Sequence, residues 1–248
     1  ADYRQDDMNG EFMADSSFYQ QTLDKIKAQD QSQPSFNYLL TYSNHLGYPL
    51  NANRPAIIST TPAIAAVAER YFNSLYYTTK ELAEFLEQLH QIDPAAVVMV
   101  VGDHWPFLGD DNIGYRQGGW WPDGQLSAQQ IWQRSITPLW ARQANDYWLK
   151  DRQLAFYQLP DALWQQLGFG NSPFATWSAS LNANWRPLDS LGEPGVIKNQ
   201  EGDYQFCYPG ANDDQCSIIN HQHQATRTLI LDIFRGRQDS QISIDEAG

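Results

Sequence analysis

The sequence predicts an α/β fold, and three observations predict it. Phe36–Tyr42, FNYLLTY, is a short apolar and aromatic run of the kind that forms a buried strand. Residues 95–103, AAVVMVVGD, are a continuous Val-rich run, the pattern of a central strand covered on both faces. Between them, from Pro62 to His90, apolar residues recur at three and four: Val67, Ala68, Tyr71, Leu75, Leu82, Phe85, Leu86 and Leu89. Strand, loop, helix and strand make a βαβ unit, whose two strands are parallel neighbours in one sheet. Ligands of such sheets bind beyond the carboxyl ends of the strands. Two polar groups stand at those ends here, Ser43-Asn44-His45 and Gly102-Asp103-His104.

The remaining elements follow in order. Residues 1–15 are polar and acidic and read as a loop. Asp15 to Ala28 carries Phe18, Leu23 and Ile26 at near-helical spacing, with Asp15 or Ser16 as N-cap. Pro34 closes the connection to the first strand, and Gly47, Pro49 and Pro55 make an irregular loop after it. The long helix has a predicted break near Tyr77-Thr78-Thr79 and ends at Asp93-Pro94. Gly109 to Gly124 is a Gly- and Trp-rich loop. Ser127–Arg134 reads as a short helix, and Ser135–Arg142 as a strand that Pro138 assigns to a sheet edge. Leu159–Leu167 reads as a helix stopped by Gly168. Val196–Tyr208 reads as a hairpin turning at Gln200-Glu201-Gly202, and Gln222–Phe234 as a last short helix. The organisation expected is an α/β core over 1–170 and a carboxyl-terminal extension over 171–248 packed on it.

A chain of 248 residues buries enough surface to fold without a metal or disulfide staple. Its 16 Lys and Arg against 29 Asp and Glu leave a net charge of −13. That excludes general nucleic-acid binding, which needs a basic face, and polybasic adhesion to an anionic membrane. No run of 18 apolar residues spans a bilayer, and no basic start precedes an apolar stretch, so no signal peptide is expected. Cys207 and Cys216 flank turn-forming residues: in an oxidising compartment they form a disulfide, in the cytosol two thiols. The Gln-rich, Lys-poor surface suits an exported protein, so the expectation is a disulfide and a site of action outside the cytoplasm.

Asp103-His104 pairs a carboxylate with an imidazole at a strand end, and both are ligands for a borderline divalent ion. A turn Asp beside a partly buried His is the plainer alternative. His45 is placed either to donate to an oxyanion or to ligate metal; the alternative is a loop histidine satisfied by backbone. His221-x-His223 puts two imidazoles on one face of a strand but sits among solvated Asn and Gln. Trp120-Trp121 reads as either a sugar-stacking platform or a loop anchored by packing.

The segments TYSNHLGYPL, RYFNSLYYTTKELAEFLEQL and AAVVMVVGDHWPFLGDDN, in that order, resemble the lipoteichoic acid synthase family of the sulfatase and alkaline-phosphatase superfamily. GEFMADSSFYQQTLDKI, SITPLWAR and LAFYQLPDALWQQLGF extend the resemblance over about residues 10–170. The resemblance implies a parallel-rich sheet flanked by helices. It makes Asp103 and His104 ligands of a divalent ion (manganese, zinc or magnesium) and sets His45 against the substrate phosphate. Thr79 departs from the family's Tyr-x-Asp helix, and Tyr157–Asp161 from its later Asp-x-x-Pro-Thr. A metal-binding Glu and a nucleophilic Thr precede the matched segments in the family, and neither has a counterpart here. The chain therefore resembles the carboxyl-terminal half of such a domain, expected to be inactive alone and to show a bare apolar sheet edge. The implied parent is a metal-dependent phosphoglycerol- or phosphoethanolamine-type transferase, or a related hydrolase. It acts on envelope lipids or glycans outside the inner membrane, with an amino-terminal half and a membrane anchor beyond this chain. The alternative is a non-catalytic module that binds glycans or a partner through its Trp-rich loops.

Overall fold

The computed structural model describes residues 3–30, 32–61, 64–150 and 152–170, then 185–186, 195–199, 201–208, 216–217, 221, 225 and 228. Contacts gather it into two units, one of residues 1–125 and 136–150, the other of 126–135 and 151–248. Residues 126–135 and 151–170 thus group with the carboxyl-terminal residues, whereas the sequence reading places them with the core.

The first unit is built on two helices. α1 (Asp15–Ala28) packs on α2 (Ala66–Ile92) through Tyr19, Leu23, Phe85 and Leu89, with Phe18, Ile26, Leu39, Leu82 and Val98 around them. The Tyr19 and Phe85 rings stack at 4.6 Å. Burying Leu23 alone is worth about 1.5–3 kcal/mol. α1 has the predicted span, but its N-cap is Ala14, because the Asp15 carboxylate turns away to another partner. α2 runs unbroken: Thr79 folds its hydroxyl back onto the Leu75 and Tyr76 carbonyls and stays within the helix.

A short hairpin, β1 (Met8–Asn9) and β2 (Phe12–Met13), precedes α1. β3 (Val97–Val101), β4 (Leu139–Gln143) and β5 (Asp146–Tyr147) form a sheet in that order, antiparallel throughout, with Met99 opposite Ala141. The Gly102 N–H donates to the Pro138 carbonyl at 3.0 Å, carrying the β3–β4 pairing one step toward the site. Pro138 precedes β4, which is the middle strand of the three rather than an edge.

The predicted parallel pair is not formed. Phe36–Tyr42 lies outside regular structure, and β3 pairs with β4 instead. Only two of its side chains, Leu39 and Thr41, are half-buried. Leu39 packs on the α1–α2 cluster and Thr41 meets the Tyr19 hydroxyl. The even-numbered side chains point out: Phe36 is 77% exposed and Tyr38 78%, with Leu40 and Tyr42 also bare. The exposed apolar surface is therefore on an irregular segment and not, as expected, on a sheet edge.

After Gly109, a 3₁₀ turn (Asp110–Asn112) leads into α3 (Ile113–Gln117). In the second unit, α4 (Ala128–Arg134) starts at a Ser127–Gln130 capping box. Its Ala128 and Trp132 cover Val196 of a three-stranded antiparallel sheet, β6 (Trp185–Arg186), β7 (Gly195–Lys198) and β8 (Tyr204–Cys207). β7 and β8 are the predicted hairpin, with Gly202 at positive φ in its turn. Cys207 is disulfide-bonded to Cys216. α5 (Leu159–Gln166) is followed by Gly168 at φ +82°. The predicted helix over 222–234, and His223 with it, lies outside the described residues apart from Thr228 and Ala225, which are helical. Among the described residues, no helix is long and apolar enough to cross a membrane.

Candidate functional site

The site is carried by two loops of the first unit. The first, residues 43–50, owes its place to Ser43, which is buried. The Ser43 hydroxyl accepts the Asp15 N–H at 2.9 Å, and the Ser43 N–H donates to Asp15 Oδ1 at 3.3 Å. Its carbonyl takes the Ser74 hydroxyl of α2 at 3.0 Å. Ser43 thus ties the loop to both helices, two residues before His45. The His45 imidazole is exposed, edge-on to Phe12 at 5.6 Å and 6.0 Å from the Tyr42 ring.

Beside this anchor lies a buried ionic cluster. Arg54 pairs with Glu81 at 2.9 Å and with Asp7 at 3.1 Å. Burial works against the Arg54 charge, yet Asp7 and Glu81 together hold its pKa above the ordinary value. Burial raises the pKa of Glu81, which Arg54 only partly offsets, and likewise raises that of Asp15 against its bonds to Ser43. The cluster holds the amino-terminal segment on α2.

The second loop leaves the carboxyl end of β3. The Asp103 and His104 side chains are both largely exposed. His104 Nδ1 lies 2.9 Å from the Trp105 carbonyl, and a carbonyl only accepts, so Nδ1 carries the proton. Nε2, the other ring nitrogen, lies 3.4 Å from Asp103 Oδ2. The edge of a tetrahedron with bonds near 2.1 Å is about 3.4 Å, so both donors reach one cation without rearrangement. Two lone pairs facing one another at this distance call for a positive charge between them, a proton or a metal ion. Among the described residues, no cluster of three or more His, Cys, Asp or Glu is poised to hold a metal, and Asp103 and His104 stand as a pair.

The two loops are joined. The Tyr48 hydroxyl, three residues past His45, donates to the Phe107 carbonyl, three residues past His104, at 2.8 Å. No hydrogen bond links His45 directly to Asp103 or His104. Under the second loop lies an aromatic stack of Trp105, Tyr115 and Trp121, with Tyr115 and Trp121 4.0 Å apart. Trp121 is therefore a packing anchor, whereas Trp120 is 53% exposed. Sequence reasoning finds both polar groups, without giving Ser43 its anchoring role, and misses Tyr48, Arg54 and Tyr115. The signals present are Ser43 two residues before His45, and an aromatic, Tyr48, directly before Pro49 in the same loop.

A family model described as Sulfatase matches residues 1–131. No curated protein matches the chain. Among solved structures, the lipoteichoic acid synthase LtaP from Listeria monocytogenes aligns over 92% of this chain, with a TM-score of 0.63 and 15% identity. The likeness at that identity is one of fold, and this chain spans 62% of the length of that one.

Proposed function

Since this chain belongs to the sulfatase family, we propose that it forms part of a metal-dependent domain that transfers phosphoryl or sulfuryl groups. Its share of the site is Asp103 and His104 as two ligands of a divalent ion, with His45 facing the substrate oxyanion. The observation that carries this reading is the placing of the two His104 ring nitrogens. Nδ1 is spent on the Trp105 carbonyl, and Nε2 is left beside Asp103 Oδ2. A nitrogen and a carboxylate oxygen suit zinc or manganese better than magnesium, which favours all-oxygen ligands. When bound, the ion supplies charge neutralisation at the oxygens of the transferred group. His45, exposed on the first loop, donates a hydrogen bond to the same oxygens.

The attacking hydroxyl and the remaining metal ligands belong, in this proposal, to the part of the fold that the chain does not span. The bare face of Phe36, Tyr38, Leu40 and Tyr42 is where that part packs. The proposed substrates are phosphodiester headgroups of envelope lipids, or glycans acceptor to them, in an oxidising compartment that suits the Cys207–Cys216 bond. The membrane anchor is assigned outside this chain.

The chain alone is expected to bind metal weakly and to turn over no phosphodiester lipid. With the complementing segment supplied, Asp103→Ala or His104→Ala abolishes transfer, while His45→Ala keeps the metal and impairs handling of the phosphate. Turnover by residues 1–248 unaided overturns the partial-site reading, and metal binding indifferent to both alanine variants overturns the ligand assignment. A non-catalytic glycan-binding module is the second reading, favoured by the exposed Trp120 indole. Glycan binding lost in Trp120→Ala, with no transfer in the complemented domain, selects it.

A further inference from the structure

Four consecutive carbonyls on the loop after Asp103 each accept a hydrogen bond from a different group. Trp105 takes His104 Nδ1, Pro106 the Tyr115 hydroxyl, Phe107 the Tyr48 hydroxyl, and Leu108 the Gly114 N–H. The Trp105 indole adds a fifth tie, donating to the Ile136 carbonyl at 2.8 Å. So dense a set of bonds on an exposed loop fixes the direction of each peptide plane. Only the first of these bonds touches a proposed ligand, and its geometry depends on the others. If the Pro106 and Phe107 peptides rotate, the Trp105 carbonyl rotates with them, and His104 loses the partner that keeps Nδ1 protonated.

We infer that the Tyr115 and Tyr48 hydroxyls are positioning groups that hold the Trp105 carbonyl against His104, leaving Nε2 free beside Asp103. The inference rests on the reading of His104 as a metal ligand, which neither tyrosine touches. Tyr115 is buried in the stack with Trp105 and Trp121, which holds its ring with the hydroxyl at the Pro106 carbonyl. Tyr48 comes from the His45 loop. It is almost wholly buried and keeps φ at +43°, a left-handed conformation costing a bulky residue about 1–2 kcal/mol. Its bond to Phe107 and its edge contact with Tyr71 at 5.2 Å hold it there. Burial raises the Tyr48 pKa, so the hydroxyl keeps its proton and remains a donor. Tyr48 therefore also transmits the place of the His45 loop to the metal-side loop.

The test uses the full chain with Tyr115→Phe and Tyr48→Phe, which keep both rings and remove both donors. Nitrogen-15 spectra of the His104 imidazole, recorded across pH up to the plateau of its ring shifts, read its tautomer in metal-free protein. Titration with manganese(II), followed by broadening of the His104 ring signals, reads affinity. Wild type shows the Nδ1–H form. Each variant shifts His104 toward Nε2–H and raises the manganese needed for half-broadening roughly tenfold. Tyr77→Phe, which frees the Pro55 carbonyl in another loop, moves neither readout. A tautomer unmoved in either variant overturns the inference, as does a loss of affinity with the Nδ1–H form retained. If Asp103→Ala leaves manganese broadening intact, the ligand reading fails, while the metal-free tautomer still decides the tyrosines' role. Should Tyr115→Phe unfold the chain, Tyr48→Phe decides alone.

Discussion

Ser43 shows how one small side chain can place a functional loop. Its hydroxyl is the acceptor for the Asp15 N–H, a helix-start donor with no intrahelical partner. Ser43→Ala leaves that N–H buried and unpaired, and is expected to cost about 1–3 kcal/mol in urea unfolding. It should also loosen His45, read as a sharper averaged ring signal; an unchanged midpoint would count against the anchor. Asp15 gives a second residue-scale prediction, in pH. Burial holds the folded pKa of Asp15 above its ordinary value, and Glu81 shifts the same way. A carboxyl raised on folding contributes stability that is fully present below its unfolded pKa, about 4, and is lost as pH rises through the folded one. Asp15→Asn removes this titration and keeps an oxygen for the Ser43 N–H. It should flatten the decline of stability above about pH 4. Urea midpoints measured across pH check this, and parallel curves for the two proteins refute it. The exposed carboxyls with lowered pKa, Asp6, Asp30 and Glu69, work in the opposite direction but are common to both proteins.

Among the elements, α3 is short and yet exactingly placed, because Gly114 lets it lie against the site loop. A Cβ at Gly114 would stand 2.7 Å from the Leu108 carbonyl oxygen and 2.7 Å from its Cβ. Backbone cannot yield as a flexible side chain does, so Gly114→Ala should cost about 1–3 kcal/mol by overpacking. It should also move Tyr115 off Pro106 and loosen the stack on the buried Trp121, visible as a red shift in tryptophan emission; an emission spectrum and midpoint like those of wild type would argue otherwise. The helices were legible in the sequence because their apolar spacing is set by a single buried stripe: α1 begins and ends where Phe18, Leu23 and Ile26 predict. The strands were legible as apolar runs but not in their pairing. Val97–Val101 has the same composition whether its neighbour is parallel or antiparallel, and the partner, β4, lies 38 residues on across the aromatic loop (Val101 to Leu139). His45, Asp103 and His104 stand out as candidates because their residue types announce chemistry. Tyr48 and Tyr115 could not, since a tyrosine that anchors a carbonyl is spelled like one that fills a core.

At the scale of the whole molecule, the chain carries a surface that its own described residues leave uncovered. Phe36 and Tyr38 contribute nothing to the α1–α2 core, so the double variant Phe36→Ser/Tyr38→Ser should shift the unfolding midpoint by no more than about 0.5 kcal/mol equivalent. The same variant should reduce self-association in sedimentation equilibrium. Equal association in both proteins would place the sticky surface elsewhere. Residues 35–42, SFNYLLTY, also lack charge, proline and glycine, and they alternate an anchored side chain with a bare one. Such a segment is a nucleus for cross-β fibres, with Pro34 the sole breaker at its border. Concentrated solutions of the chain are therefore expected to grow fibres in competition with reversible pairing, and Phe36→Ser/Tyr38→Ser should lengthen the lag. Lag times in a dye-binding assay, and not melting temperatures, set how long such a solution keeps.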